Sequence, residues 1–495
     1  MSFINTFLQN LAKNKPGNGL KTNKQSIPSK LIESLQSHDV FTQNGAATHS
    51  TSNNNLVDLF FLAGAAREIS EPDIIKLLEK SFAQDQLLTL KLIFWAGDIR
   101  AGAGERRFFR LAIKWLETHY PEILIKNIIA GNVEFFNRWD SLFELVENPK
   151  VKEFVLSQIQ NGLENQDVLL AKWLPRKEQY GNFKKSVLRK LKINDQQYRK
   201  LIVHLSKTVE QQMSFKKWDQ IEYSKVPSQA FNKYREAFKK HDESRFSQFI
   251  DLALNGEVKI NAGAIFPHQL YQAYNQNKDE DSIIAQWNNL PDYLVNSQEK
   301  ILPICDVSGS MVGLAMDVCV SLGIYISERN KGIFENAFIT FSQTPKLQYL
   351  SGNLTQRIRQ LETADWAANT DLFAVFEILL KKAVSDKIEP DQMPSMLLIL
   401  SDMEFDDAVS GRTNLDSIRT KYAQSGYNLP KIVFWNLKGA LNNSPAKEKD
   451  QNIALVSGFS PSILDTILSG QIEKFTPLNV VLKTLNKERY ERVVV

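Results

Sequence analysis

Three oxygen-bearing side chains, Asp306, Ser308 and Ser310, end the stretch ILPICDVSGS, directly after an apolar run. Two further candidates follow later in the chain, Thr370 in WAANTDL and Asp402 at the end of the apolar run SMLLILSD. If both apolar runs are buried strands of one parallel sheet, their ends meet at the same edge. Hydroxyl and carboxylate oxygens without His or Cys suit Mg²⁺ or Mn²⁺ rather than Zn²⁺. The residue types therefore predict a divalent-cation site.

Two other roles for these residues have to be weighed. The serines could cap the helix that follows them, but Asp306 and Asp402 would then be neighbouring like charges without a counter-ion. A hydrolytic metal centre would need a general base, for which Glu404 and Asp406 are the candidates. No His occurs in residues 298–495. We therefore expect a binding site and no enzymatic activity.

The elements that must position these oxygens alternate between strand and helix patterns from residue 298 to residue 495. Short apolar runs such as KILPICDV, SMLLILSDM and KIVFWNL are separated by amphipathic segments such as DLFAVFEILLKKAVSD. This alternation predicts a doubly wound, mostly parallel α/β sheet with helices on its faces.

The chain before residue 298 has a different pattern. Apolar residues recur at helical spacing over most of residues 56–255, with brief Ser, Gly, Pro or Asn breaks. We expect an α-helical repeat domain over 56–297, a stack whose curved face could bind partners. Residues 1–55 predict an N-terminal helix and a polar segment, to which we assign no function.

Positive charge is concentrated in one window of the predicted helical domain. Residues 172–240 contain 18 Lys or Arg and 6 Asp or Glu, a charge of +12, whereas the whole chain carries only +4. Within this window, LLAKWLPRKEQYGNFKKSVLRKLK interleaves cations with Trp173, Tyr180 and Phe183. Cations beside stackable rings are typical of RNA-binding surfaces. The alternative is a solvated basic helix pair whose rings belong to the core.

The segment AGDIRAGAGERR offers a second set of cations, at a turn before a helix. Arg100 and Arg106 could grip phosphate there with backbone N–H groups. Alternatively, Arg100 forms a structural ion pair with Asp98 or Glu105. Our predicted RNA-binding residues are Lys172, Arg176, Lys177, Lys184, Lys185, Arg189, Lys190, Arg199, Arg100 and Arg106.

Composition excludes several classes of protein. The apolar runs are too short for a membrane span, and the first residues lack the features of a secretory signal. Cys305 and Cys319 are the only cysteines, both in apolar surroundings, which favours a reduced compartment over a disulfide scaffold. We expect a cytoplasmic protein.

The Asp-x-Ser-x-Ser pattern, with a later Thr and Asp, resembles the metal-ion-dependent adhesion site of von Willebrand factor A domains. The resemblance falls on Asp306, Ser308, Ser310, Thr370 and Asp402. It implies that the hydroxyls coordinate the ion while the aspartates often act through water. It also implies one open position for an outside oxygen, commonly a partner's carboxylate.

The order of the blocks over residues 56–495 resembles a family known only as a domain of unknown function. That pattern includes DIRAGAGER, RWD, AKW and AGAIFPH before the C-terminal domain. The architecture is similar to that of TROVE-module proteins, the Ro ribonucleoprotein group, although the helical half shows no residue-by-residue correspondence. It implies a ring or horseshoe of HEAT-like repeats followed by a von Willebrand factor A domain.

The resemblance implies RNA as the partner, in the form of small non-coding, structured or misfolded RNA with single-stranded ends. The alternative is a metal-dependent protein-interaction scaffold, in which the ion at Asp306 captures an acidic residue of a partner protein. The sequence thus leaves two partner classes open.

Overall fold

The structure is a computed structural model that describes residues 40–176, 180–206, 208–340, 345–362, 372–405, 415–468, 472 and 474–495. Its contacts divide the chain into two compact units. The helical unit contains residues 55–264, 457–466 and 480–495. The α/β unit contains the described residues up to 54, together with 265–456 and 467–479.

Helices make up most of the secondary structure. In chain order they are α1 Asn55–Ala63, α2 Glu71–Gln84, α3 Gln86–Gly97, α4 Arg106–His119, α5 Pro121–Ile129, α6 Asn132–Phe136, α7 Pro149–Glu164, α8 Val168–Trp173, α9 Gly181–Leu191, α10 Asp195–Leu205, α11 Val209–Ser214, α12 Ser228–His241, α13 Glu243–Leu254, α14 Pro267–Asn275, α15 Glu280–Asn288, α16 Leu314–Ser327, α17 Leu354–Glu362, α18 Leu372–Ser385, α19 Leu415–Gln424, α20 Ile463–Ile467 and α21 Pro477–Leu485.

The strands lie in two groups. A two-residue pair, β1 Val40–Phe41 and β2 Ala47–Thr48, is antiparallel. The main sheet contains β3 Ile301–Cys305, β4 Ala337–Thr340, β5 Lys346–Tyr349, β6 Met396–Ser401, β7 Lys431–Asn436 and β8 Ile453–Ser457.

Local sequence signals set the boundaries of the helices. Ser70 caps α2 by accepting from the N–H of Asp73, and Asp85 caps α3 in the same way. Asn194 and Gln197 form a reciprocal capping box at the start of α10. Successive helices from α1 to α5 then pack on one another through their apolar faces. The predicted helical region is confirmed, while its description as HEAT-like repeats stays a prediction.

The main sheet has the strand order β5-β4-β3-β6-β7-β8. If these six strands are numbered 1 to 6 in chain order, their order across the sheet is 3-2-1-4-5-6, which is the doubly wound order. Three neighbouring pairs, β3–β4, β3–β6 and β6–β7, are parallel, whereas β5 pairs antiparallel with β4. The predicted α/β class and mostly parallel sheet are thereby confirmed as a mixed six-stranded sheet.

The contacts divide the chain at 54/55 and 264/265, whereas the sequence predicts domain boundaries at 55/56 and 297/298. Helices α14 and α15 belong to the α/β unit because α14 packs on α16, whose residues are nearly all buried. Gln272 of α14 donates to Asp317 at 2.8 Å, and Trp287 of α15 donates to Glu328 at 2.7 Å. A helix that is apolar on all sides must be buried by neighbouring elements, and α14 and α15 bury part of the surface of α16.

The N-terminal segment also differs from expectation where it is described. Residues 40–54, predicted as polar chain, include β1 and β2 and belong to the α/β unit. The predicted N-terminal helix lies outside the described residues. As expected, the described part of the chain holds no helix that is both long and apolar enough to cross a membrane.

A buried carboxylate ties the end of the chain to the helical unit. Asp98 is fully buried and accepts from Arg489 Nη2 at 2.9 Å and from the Tyr490 hydroxyl at 3.2 Å. It also accepts from the N–H groups of Arg100 and Ala101, which closes the turn after α3. Burial and the nearby Asp98 both raise the pKa of Tyr490. Asp98 therefore joins a turn and the chain terminus across 391 residues.

Removal of this carboxylate should destabilise the protein. We expect Asp98→Ala to lower the free energy of unfolding by about 3 kcal/mol, because the substitution leaves Arg489 half-buried without its partner. Denaturant unfolding of the full chain measures the effect. The matched control is Lys150→Ala, which breaks an exposed pair with Glu122 and should cost less than about 1 kcal/mol. Equal losses in the two variants would contradict the assignment.

Candidate functional site

The predicted metal-binding aspartates lie at the switch point of the main sheet. β3 and β6 are adjacent and parallel, with Cys305 paired to Leu400. Asp306 and Asp402 directly follow these two strands. From here the sheet continues in opposite directions, to β4 beyond β3 and to β7 beyond β6. Doubly wound sheets bind ligands at this position, outside the carboxyl ends of the strands.

Asp306 is held by hydrogen bonds to both of its carboxylate oxygens. The side chain is fully buried. Its Oδ1 accepts from the N–H of Ser308 at 3.0 Å, and its Oδ2 accepts from the Ser401 hydroxyl at 2.6 Å. The N–H of Asp306 itself donates to the Leu400 carbonyl at 2.9 Å. These contacts fix the carboxylate against β6, beside the almost fully buried Asp402.

The hydrogen bonds do not neutralise the pair of carboxylates. Burial, and then the charge of Asp402, raise the pKa of Asp306 to about 6, although the bonds from Ser401 and Ser308 act in the opposite direction. A carboxyl group whose pKa lies this high is short of positive charge when ionised. A divalent cation beside Asp306 and Asp402 would supply it.

The serines extend the site toward solvent. Ser308 and Ser310 lie 2.9 Å apart, oxygen to oxygen, and Ser310 is exposed in the 3₁₀ turn Gly309–Met311. Neither caps α16, whose N-cap is Gly313 without a side-chain hydrogen bond. The capping alternative is therefore wrong for that helix. Two carboxylates and two hydroxyls form an oxygen-only donor set that fits Mg²⁺ or Mn²⁺.

The remaining predicted ligand, Thr370, lies outside the described residues. Among the described residues, no group of three or more His, Cys, Asp or Glu forms a metal cluster, so any site here depends on the serine hydroxyls. Sequence reasoning missed Ser401, which donates to Asp306. The parallel register could have identified it, because Ser401 follows Leu400, the partner of Cys305.

The candidate general base has other partners. Glu404 Oε2 accepts from the N–H of Gln43 at 2.7 Å, and Oε1 accepts from Asn443 Nδ2 at 3.1 Å. This carboxylate links the N-terminal segment to the loop after β7. The other candidate, Asp406, lies outside the described residues.

The predicted RNA-binding cations divide into paired and unpaired groups. Lys172 pairs with Glu210 at 3.2 Å, Lys184 and Arg199 share Asp195, and Lys190 pairs with Glu153. Arg176 is exposed and donates to the Ser206 hydroxyl at 2.9 Å. Lys177 lies outside the described residues.

Four cations of α9 and α10 and the intervening turn are exposed and have no carboxylate partner within the described chain. They are Lys185, Arg189, Lys192 and Lys200. Residues 181–205 contain seven Lys or Arg and one Asp, so Asp195 cannot compensate them. We call these four residues the basic surface.

The aromatic rings predicted beside these cations are engaged within the protein. Phe183 is 4% exposed and packs on Phe143, with ring centroids 5.0 Å apart. Trp173 lies under the guanidinium of Arg138, 4.0 Å from its ring centroid. The core alternative therefore holds for Phe183. The basic surface provides charge, while these two rings stabilise the helical unit.

The AGDIRAGAGERR segment is largely structural. Arg107 donates to the carbonyls of Ala66 and Ile69, both at 2.8 Å, and Glu105 pairs with Arg67 at 2.7 Å. Arg100 donates to the Phe135 carbonyl at 3.1 Å, so neither suggested ion pair of Arg100 forms. The remaining predicted residue of this segment, Arg106, instead pairs with Asp140 at 3.0 Å.

The raised pKa of Asp306 predicts a pH effect in chelator-treated protein. Folding raises this pKa from 3.8 to about 6, so the native state retains a proton that the unfolded state has lost between these values. The contribution of Asp306 to stability is therefore largest below about pH 4 and falls as pH rises to 6, by on the order of 3 kcal/mol. Asp306→Asn should gain stability relative to the original protein over this interval.

Urea unfolding at several pH values in EDTA measures this difference. The control is Asp386→Asn, because Asp386 is exposed and its pKa is lowered by the hydrogen bond from Lys382. That variant should show no gain as pH rises. If the stability difference between Asp306→Asn and the original protein stays constant from pH 4 to 6, ionisation of Asp306 does not destabilise the fold, and the prediction is wrong.

Comparison with known proteins identifies two sequence families along the chain. Residues 42–133 and 161–301 match a domain of unknown function, DUF2828, and residues 300–492 match another, DUF7788. Uncharacterized protein L728 of Acanthamoeba polyphaga mimivirus is 26% identical over 500 residues, covering 90% of this chain and 87% of that protein.

A solved structure shows a weaker likeness. The crystal structure of the Deinococcus radiodurans Ro (RSR) protein aligns over 88% of this chain and 99% of its own, with 12% identity and a TM-score of 0.34. None of these matches describes a von Willebrand factor A domain, and that resemblance stays a prediction. The chain is thus similar in sequence to two domains of unknown function, DUF2828 and DUF7788, over different parts of its length.

Proposed function

We propose that this protein is a non-catalytic RNA-binding protein whose α/β unit holds a divalent cation. The basic surface of the helical unit contacts phosphates, and Mg²⁺ or Mn²⁺ occupies the switch point of the sheet. The observation that carries the RNA half is the set of four exposed cations without carboxylate partners in the described chain.

The unpaired cations support a polyanion as the partner. A cation whose charge is balanced one-to-one by a carboxylate gains little from a phosphate, because the existing pair must first be broken. Lys185, Arg189 and Lys200 carry no such cost. Phosphate neutralisation by lysine and arginine releases counterions and dominates nucleic-acid affinity. The resemblance to TROVE-module proteins in architecture favours RNA as this polyanion.

The divalent cation rests on the carboxylate pair and on the sheet that presents it. The 3-2-1-4-5-6 order with an antiparallel edge strand, and the Asp-x-Ser-x-Ser turn at its switch point, support a von Willebrand factor A-like unit. The ion would be held by Asp306, Ser308, Ser310 and Asp402, with Thr370 as a further ligand. When bound, it can offer an open position to a phosphate or carboxylate oxygen.

Absence of catalysis and a cytoplasmic location are parts of the same proposal. The engagement of Glu404 by Gln43 and Asn443 supports a structural role for the acidic residue that follows Asp402. Cys305 and Cys319 are buried free thiols, which supports a reducing compartment.

A second function is favoured by the buried carboxylates alone. If the ion captures an acidic residue of a partner protein, the α/β unit is the binding module and the helical unit is a scaffold. The two functions differ in which substitution matters. RNA binding depends on the basic surface, whereas protein capture depends on Asp306 and on the metal.

Charge reversal on the basic surface tests the RNA proposal. Lys185→Glu with Arg189→Glu should weaken binding of single-stranded and hairpin RNA by about tenfold or more, and should lower the salt dependence by about one unit per phosphate contact. The matched control is Lys76→Glu with Lys80→Glu on the exposed face of α2. Fluorescence anisotropy over a salt series measures both effects.

The outcomes of this experiment separate the two functions. Affinity that survives Asp306→Ala but falls with reversal of Lys185 and Arg189 supports RNA binding by the helical unit. Failure of the unaltered protein to bind either RNA overturns the proposal. Protein capture that is abolished by EDTA or by Asp306→Ala would then favour the metal-dependent protein-interaction function.

Metal binding has its own readout in thermal stability. Addition of Mg²⁺ or Mn²⁺ to chelator-treated protein should raise the melting temperature, because a ligand at 100 times its dissociation constant stabilises the fold by about 2.7 kcal/mol. Asp306→Asn and Ser308→Ala should reduce or abolish this shift, while Asp386→Asn should retain it. A shift that is unchanged in Asp306→Asn would place the ion elsewhere.

A further inference from the structure

Three guanidinium groups converge on one carboxylate in the helical unit. Asp140 Oδ2 accepts from Nη2 of Arg106 at 3.0 Å, of Arg110 at 3.0 Å and of Arg138 at 2.9 Å. Arg138 also donates from Nε to Asp140 Oδ1 at 3.1 Å. Arg106 and Arg110 stand one turn apart at the start of α4, and Asp140 lies in the 3₁₀ segment Trp139–Glu144. We call these three arginines the arginine cluster.

The cluster carries more positive charge than its surroundings compensate. Glu144 accepts from Arg110 at 2.8 Å and lies 3.7 Å from Lys114. Across the described residues, four cations therefore face two carboxylates, an excess of two positive charges. Asp140 is 13% exposed, so this excess charge is partly removed from water. Like charges repel one another more strongly in the protein interior than in water.

The state of Arg106 reflects this imbalance. Burial lowers the pKa of its guanidinium, Arg138 and Arg110 lower it further, and Asp140 acts in the opposite direction. The group keeps its proton at neutral pH because an arginine guanidinium is not deprotonated in proteins. The charge thus persists and needs an anion.

Access to the cluster comes through Arg106. Its side chain is 38% exposed, whereas Arg110 and Arg138 are each 24% exposed. Arg138 is further fixed by stacking on Trp173. An incoming anion would meet a partly exposed guanidinium in front of two that are already oriented.

We propose that the arginine cluster binds a phosphomonoester dianion. A terminal phosphate carries a charge of about −1.5 to −2 at neutral pH and has three acceptor oxygens, which matches an excess of two positive charges better than a phosphodiester does. The planar, forked guanidinium is suited to phosphate oxygens. Assignment of that phosphate to the end of an RNA rests on the proposed function, whereas the site itself does not.

The experiment compares ligands that share this chemistry. The probes are one single-stranded RNA 10-mer with a 5′-phosphate, with a 3′-phosphate or with neither, followed by adenosine monophosphate and inorganic phosphate. Anisotropy measures the RNAs and calorimetry measures the small ligands, all with the full chain. We expect either the 5′-phosphorylated or the 3′-phosphorylated RNA to bind about tenfold more tightly than the RNA without a terminal phosphate.

Two variants separate a binding role from a structural one. Arg106→Gln should abolish the preference for the phosphorylated end, while Lys76→Gln on α2 should retain it. Asp140→Asn removes the internal competitor for the guanidiniums and should strengthen binding of the monophosphate probes even though it lowers the melting temperature. A purely structural cluster would lose stability in Asp140→Asn without any gain in anion affinity.

The experiment distinguishes failure of the phosphate site from failure of the proposed RNA function. Binding of adenosine monophosphate or inorganic phosphate that is lost in Arg106→Gln supports the site even where no RNA binds, and makes a small phosphomonoester its ligand. RNA binding without preference for either phosphorylated end, together with no binding of the small ligands, overturns the site and leaves the RNA function standing.

Discussion

Two aspartates held side by side in the interior of a sheet edge are the constraint on which the α/β unit depends. Asp306 is fully buried, and its oxygens are oriented by Ser308 and Ser401 so that it cannot turn away from β6. Burial of a carboxylate beside another carboxylate is unfavourable without a positive partner. The same hydrogen bonds that fix the pair leave its charge in place. The pair is therefore held in place by contacts that do not remove the unfavourable energy of its like charges.

The architecture explains why this arrangement occurs at one position of the sheet. Strands β3 and β6 are neighbours with no intervening strand, although more than 90 residues separate them along the chain. The sheet continues from β3 to β4 and from β6 to β7, in opposite directions, and doubly wound sheets bind ligands at such a position. Helix α16 packs on both β3 and β6, and the Cys319 thiol donates to the Leu400 carbonyl of β6 at 3.3 Å. Packing of α16 fixes the ends of β3 and β6, and these strand ends position Asp306 and Asp402.

Much of this fold could be predicted from hydrophobic periodicity, and some of the site could not. The strands ending at Asp306 and Asp402 were evident because apolar runs of five or six residues end in a charged residue. The contribution of Ser401 required the register of β3 against β6. The pairing of Asp98 with Arg489 required a contact across 391 residues, which no local pattern encodes. The membership of α14 and α15 was missed because their amphipathic pattern does not specify which apolar surface they cover.

The basic segment shows why formal charge is a weak guide to a binding surface. Lys184 and Arg199 share Asp195, and Lys190 reaches back to Glu153 on α7, so part of the +12 window is neutralised within the helical unit. The excess that remains is exposed on α9 and α10, where solvent screens it. A separate excess of positive charge, formed by residues outside this window, is partly buried around Asp140. The exposed charges favour long-range attraction of a polyanion, whereas the buried cluster favours a single, closely fitted anion. Under the proposed RNA function, the exposed charges would attract the RNA first, and the arginine cluster would then capture a terminal phosphate.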